Sequence, residues 1–161
     1  MLSPDYQIRR ATVEDIDILV SHRRQMFAEI RNSEAARLDA LDIAYRRWLA
    51  RKIPDGEYLS WVALDEHGLV VAGAGLLIRE RLPSPSSLEE REGYVANVYT
   101  NPECRGHGLA HRLMETMMDW CREHDIRTVT LFTAPKAEPI YRSLGFKIHA
   151  SPAMDISLEH D

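Results

Sequence analysis

The chain has 161 residues, 45% hydrophobic and 28% charged, with a formal net charge of −5. One globular domain over residues 1–161 is expected, with enough chain to bury a core. Basic residues come in pairs, such as Arg9-Arg10, Arg23-Arg24 and Arg46-Arg47, and no apolar run approaches the length of a bilayer span. Neither nucleic acid nor membrane is therefore expected as a partner.

The N-terminus lacks the apolar region of a secretory signal, and Cys104 and Cys121 form no recognisable disulfide or metal pattern. A reducing cytoplasm with both thiols free is the expectation. The seven histidines give no His-Glu-x-x-His motif and no cluster at ligand spacing, so no metal is expected.

In chain order, Tyr6 to Ala11 reads as a first strand. Thr12, with Asp15 three residues later, reads as the start of a helix running to about Ile30, with Ile16, Leu19, Val20, Met26, Phe27 and Ile30 on its apolar face. A second helix is predicted over 39–53, with Leu41, Ala44, Tyr45, Trp48 and Leu49 at helical spacing, ended by Pro54-Asp55-Gly56. The period then changes. Residues 58–65 and 69–80 read as strands, the second with Gly73 and Gly75 marking a bulge or close backbone approach. A Pro/Ser-rich loop leads to a strand over 93–100.

From Leu109 to His124, positions 109, 113, 116, 117, 120 and 121 form one stripe of a helix, in which Cys121 reads as core. Residues 128–133 give a strand, and 137–146 a short helix closed by Gly145. Two final strands are predicted over 146–150 and 153–158. The order implies a mixed α/β sheet with helices on its faces.

Between the 93–100 strand and the long helix lies Arg105-Gly106-His107-Gly108-Leu109-Ala110. A helix N-terminus offers unpaired N–H groups and partial positive charge, which suits a phosphate. Gly106 and Gly108 remove side chains that would keep such a ligand from the main chain, and Arg105 adds charge. The loop is neither a Walker A sequence nor a Gly-x-Gly-x-x-Gly dinucleotide fingerprint. The same two glycines also suit a plain strand-to-helix turn.

These six residues match the Arg/Gln-x-x-Gly-x-Gly/Ala signature of the GNAT N-acetyltransferases, and the surroundings are similar too. Residues 98–114 resemble the family's motif A, a strand, pyrophosphate loop and helix. Residues 131–146 resemble motif B, with its strand, short helix, tyrosine and Leu-Gly-Phe ending. The resemblance spans Tyr6 to about Leu158. It implies an α/β GNAT fold: a mixed, mostly antiparallel central sheet, flanked by helices on both faces and splayed between the motif A and motif B strands.

The resemblance also implies roles. Acetyl-CoA would be the co-substrate, its diphosphate held by main-chain amides of Arg105, Gly106, His107, Gly108, Leu109 and Ala110. Its pantetheine arm would pair with exposed backbone along Val98, Tyr99 and Thr100 and pass Ala137. Ala134 stands where many relatives have asparagine, so that side-chain contact is not carried over. The thioester would lie near Tyr141.

The implied reaction is direct acetyl transfer to the primary amine of a small molecule. An alkyl amine has a pKa near ~10 and must lose a proton before it attacks. Tyr141 is the acid expected to protonate the leaving thiolate, with packing on its short helix as the alternative. Glu92 is the candidate base, directly or through water, or else a solvated loop charge beside Glu89 and Glu90. By strand alternation Glu92 shares a face with Tyr94, Ala96 and Val98, with Asn97 and Tyr99 on the other. Arg23, Met26, Phe27 and Glu29 are candidates for the acceptor wall; Met26 and Phe27 better suit a core stripe, and Arg23 or Arg24 suits a solvated charge or an anchor for a carboxylate. Asn97 binds water or packs. Trp48, Trp61 and Trp120 read as packing. A protein or peptide amine, or a non-catalytic acyl-CoA sensor, are the alternative functions. Family members often dimerise, so a homodimer is admitted.

Overall fold

The structure, a computed structural model, describes residues 5–158. Its frame is one five-stranded sheet: β1 (Gln7–Arg10), β2 (Tyr58–Leu64), β3 (Val70–Glu80), β4 (Arg91–Thr100) and β5 (Val129–Leu131). The strands lie in sequence order, antiparallel from β1 to β4, with β5 parallel to β4. Between them run α1 (Ile16–Arg31), α2 (Ala35–Lys52), α3 (Leu109–Glu123) and α4 (Glu138–Ser143). Among the described residues no helix is long and apolar enough to cross a membrane.

Alternation along β2 explains the layers. Leu59, Trp61 and Ala63 face α3, joining Leu113, Met114, Met117 and Cys121 in one buried cluster. Tyr58 and Val62 face the other side, against Leu19 and Val20 of α1 and Tyr45 and Leu49 of α2. A strand buried on both faces carries few polar residues, and Ser60 satisfies its hydroxyl by donating to the Ala74 carbonyl at 3.1 Å. On α3 the buried stripe includes Met114 in place of the expected Thr116, whose hydroxyl donates to the Arg112 carbonyl. The capping box the sequence suggests starts a 3-10 turn, Val13–Asp15, that leads into α1: Asp15 accepts from the Thr12 amide at 2.8 Å, and the Thr12 hydroxyl accepts from the Glu14 amide.

Two features position the site. First, β4 and β5 pair only over Gly93–Val95 and Val129–Leu131, whereas β4 runs on to Thr100. Its last residues therefore present an unpaired edge where the two strands part. Second, the β3–β4 register slips by one residue. Gly73 faces Tyr99 and Gly75 faces Ala96, so Asn97 and Val98 together oppose Ala74. Asn97 takes the extra turn of backbone at φ +59°, a conformation asparagine tolerates better than most residues.

The bulge overturns one expectation. Glu92, Tyr94 and Ala96 do share a face, but the extra residue flips the alternation. Asn97 and Tyr99 come to that same α1/α2 side, where they meet Tyr45 and Gln25, while Val98 packs toward α3. The expected strands over 146–150 and 153–158 are also absent: residues 146–158 form no ladder. A strand needs a partner edge, and β5 offers three residues; Pro152 removes a donor from the stretch. Met154 is left 94% exposed.

Candidate active site

The glycine loop opens onto a cavity of about 460 Å³. One wall is β4 at Val98, Tyr99 and Thr100, at the unpaired edge. A second is Arg105, Gly106 and Gly108 with Leu109 and Ala110 at the start of α3. A third is Ala137, Ile140 and Tyr141 around α4. Gly106 and Gly108 have φ of +82° and +74°, which a side chain would strain. A Cβ built at either meets no protein atom within 4 Å, so it would project into open space. Gly108 caps α3 without a side-chain bond, leaving the first-turn N–H groups for a ligand. An uncapped helix start, bare backbone and a cavity beside an unpaired strand edge together fit a diphosphate with an extended arm.

Several predicted residues sit differently around this cavity. Arg105 lines it, but its guanidinium donates to the Glu29 carboxylate at 2.9 and 3.0 Å and to the Thr100 carbonyl at 2.9 Å. Its charge is thus largely matched within the protein. His107 is turned away, with Nδ1 3.0 Å from the Cys104 carbonyl and its ring beside Tyr6. Met26 and Glu29, expected on the acceptor side, line this cavity together with Ile30, a set at i, i+3 and i+4 on one stripe of α1. Cys104, His111 and Lys136 also line it. The signature points to the loop but says nothing of these neighbours. Lys136 sits just before the Ala137 position and could have been noticed as a cation near an anion site.

Tyr141 is buried at 8% exposure, with its ring set edge-on to Phe146. Burial pushes its phenol up, so it remains a proton donor at neutral pH.

A second cavity of about 360 Å³ lies on the α1/α2 side. Neighbouring residues of β4 border the two, Asn97 this one and Val98 the first. Its walls are Arg23, Tyr45, Trp48, Tyr58, Leu77 and Tyr94. Asn97 organises the floor. Its amide nitrogen donates to the hydroxyls of Tyr45 and Tyr58, each at 2.8 Å, and its oxygen accepts from Arg23. The two hydroxyls lie 3.2 Å apart. Burial pushes both phenols up, so both stay neutral. Gly75 makes this possible: a Cβ there would fall 1.8 Å from the Tyr58 hydroxyl.

Phe27 lines neither cavity; its ring lies 4.9 Å from the Arg23 guanidinium. Glu92 lines neither as well. It leads toward the second cavity on the Tyr94 face of β4, with its carboxylate 2.8 Å from Arg79 Nε and 3.7 Å from Arg81 Nε. The sequence reading missed Tyr45, Trp48, Tyr58 and Tyr94 as wall residues, because aromatic residues at helix or strand spacing look like core. Among the described residues no group of three or more His, Cys, Asp or Glu side chains is placed to hold a metal ion.

The fold is a mixed sheet with a cavity where β4 and β5 part, bordered by a bare glycine loop. The chain matches the Acetyltransferase (GNAT) family over residues 16–146 and belongs to that family. It is similar to a GCN5-related N-acetyltransferase from Ralstonia eutropha JMP134, at 29% identity and TM-score 0.85, covering 94% of this chain and 99% of that one. It shares its fold with a predicted acetyltransferase from Clostridium acetobutylicum crystallised with acetyl-CoA, at 24% identity and TM-score 0.79, covering 98% and 96%. A 52-residue stretch is 36% identical to the uncharacterized N-acetyltransferase ycf52 of Gracilaria tenuistipitata var. liui. That match covers 32% of this chain and only 29% of the curated relative.

Proposed function

We propose that the protein transfers an acetyl group from acetyl-CoA directly to the primary amine of a small molecule. One observation carries this reading: the bare, uncapped start of α3 faces a cavity that also holds an unpaired β4 edge and the Tyr141 phenol. Family membership supports the acyl transfer. The walled second cavity of about 360 Å³ favours a small acceptor over a protein surface.

Acetyl-CoA, when bound, supplies an activated acetyl thioester and leaves as a thiol. Main-chain N–H groups at Gly106, Gly108, Leu109 and Ala110 hold the diphosphate, and the β4 edge from Val98 to Thr100 aligns the pantetheine arm. Tyr141 donates its proton as the C–S bond breaks; its buried, raised phenol is in the acid form for that step. The acceptor nitrogen approaches from the Asn97 side and forms the C–N bond as its own proton leaves. Glu92 is too far along β4 to line the acceptor cavity, and Arg79 and Arg81 already engage it. A proton would reach it through water.

The test is thermal unfolding with acetyl-CoA, CoA or ATP, followed by thiol release with an amine panel. A ligand at a hundred times its Kd adds about 2.7 kcal/mol. Acetyl-CoA and CoA should raise the melting temperature and ATP should do little. A folded sample that ignores acetyl-CoA would end the proposal.

A further inference from the structure

The acceptor cavity contains a positive charge with no counter-ion. No carboxylate of the described residues pairs with Arg23. Its guanidinium lies between the rings of Phe27 and Tyr45, 4.9 Å from each centroid, and one nitrogen donates to Asn97. Its Nε–H is buried and donates to nothing in the protein. The other arginines nearby differ: Arg24 is paired with Asp39 and Asp42, and Arg79 with Glu92. Arg23 lines the cavity, so an anion bound there would meet its guanidinium.

We infer that the acceptor is an α-amino acid with an apolar side chain, its carboxylate held by Arg23. This rests on the transferase reading above. One unpaired cation matches a monoanion, and the flat guanidinium fork suits a carboxylate. Arg23 is bonded to Asn97, and Val98, the next residue, borders the donor cavity. An anion on Arg23 thus lies close to where the amine must meet the thioester, which fits amine and carboxylate on one carbon. The remaining wall, Leu41, Trp48, Leu77 and Tyr94, offers an apolar surface for the side chain. Polycationic amines are disfavoured, because Arg23 would repel them.

The experiment measures thiol release at saturating acetyl-CoA with L-phenylalanine, L-phenylalaninamide and phenethylamine, for wild type, Arg23→Gln and Arg23→Lys. Wild type should prefer the acid over the amide by about tenfold to a hundredfold in kcat/KM, the scale of losing a partner for a buried charged donor. Arg23→Gln should remove that preference by raising KM for the acid, and should keep the acetyl-CoA melting shift. Arg23→Lys should restore part of it. Equal use of acid and amide, or a loss shared by all three amines, overturns the inference. Turnover of the amide or phenethylamine but not the acid leaves the transferase reading standing and this one fallen. No acetyl-CoA shift and no thiol release with any amine fells both. Where acetyl-CoA binds without turnover, melting of the CoA-loaded protein decides: the acid must stabilise wild type more than the amide does, and more than it stabilises Arg23→Gln.

Discussion

Asn97 organises the floor of the second cavity, and its loss can be worked out bond by bond. Replacing it with alanine removes two hydrogen bonds to the Tyr45 and Tyr58 hydroxyls, both 2.8 Å, and one from Arg23. Each is worth about 1 kcal/mol net, the charged one somewhat more. The two hydroxyls keep each other at 3.2 Å, which limits the cost of stranding them. Alanine must also adopt φ +59°, at about 1 kcal/mol relative to asparagine or glycine. Asn97→Ala should therefore destabilise by about 4 kcal/mol. Asn97→Gly loses the same bonds without the strain, so it should recover about 1 kcal/mol of that. Urea denaturation at constant m-value reads both. Equal midpoints for the two variants would refute the strain component. A cost below about 1 kcal/mol for either would refute the bonded floor. Adding Tyr58→Phe to Asn97→Ala should cost less than the two singles combined, since they share a bond.

Three further outcomes are expected. Gly106→Glu should abolish the acetyl-CoA melting shift, because its side chain enters the open cradle; Gly106→Ala, measured alongside, isolates the strain at φ +82°. A shift retained in the glutamate variant would remove the loop from the donor site. Tyr141→Phe should lower kcat about a hundredfold while acetyl-CoA affinity holds, and an unchanged kcat would dismiss the acid role. His22 is buried beside Tyr99 with neither ring nitrogen bonded, and burial pulls it from its ordinary 6.5 to about 4. Between those values the unfolded chain holds a proton that the folded imidazole does not. Stability present above pH 6.5 is therefore lost as pH falls toward 4, by about 3 kcal/mol. His22→Phe should flatten that slope in urea midpoints taken from pH 7 to 4.5, and an unaltered slope would contradict it.

What the sequence made legible was whatever is local and periodic. Arg105 to Ala110 is one contiguous loop whose glycines are demanded by backbone conformation, so it shows in any reading of the chain. Most of the buried stripe of α3 follows from spacing, Met114 excepted, and β2 shows as a strand in its apolar run. The bulge was half legible: Gly73 and Gly75 marked it on β3, and the β3–β4 register slips between them. Its other half, on β4, was not, because an asparagine inside a strand pattern does not announce a positive φ. The two C-terminal strands failed for the complementary reason: alternation at 154, 156 and 158 is a property of the segment, while a strand is a property of a pair.

The same contrast separates the two halves of the site. In the proposed function the donor is met mainly by main chain, through Gly106, Gly108 and the β4 edge, and main chain at a fixed loop leaves a motif. The second cavity, the proposed acceptor site, is assembled from Arg23 on α1, Tyr45 and Trp48 on α2, Tyr58 on β2, Leu77 on β3, and Tyr94 and Asn97 on β4. No two of those elements lie within one local pattern, and each side chain alone has a good reason to be core. Substitutions at those positions can change the acceptor while the glycine loop stays as it is. The bulge is what ties the halves together. Without the extra residue, Asn97 would point to the α3 side, Arg23 would lose its partner and the Tyr45–Tyr58 floor would open. The β4 edge beyond it would shift register against the donor arm. A change at Asn97 should therefore disturb both substrates, whereas a change at Trp48 or Leu77 should disturb only the acceptor.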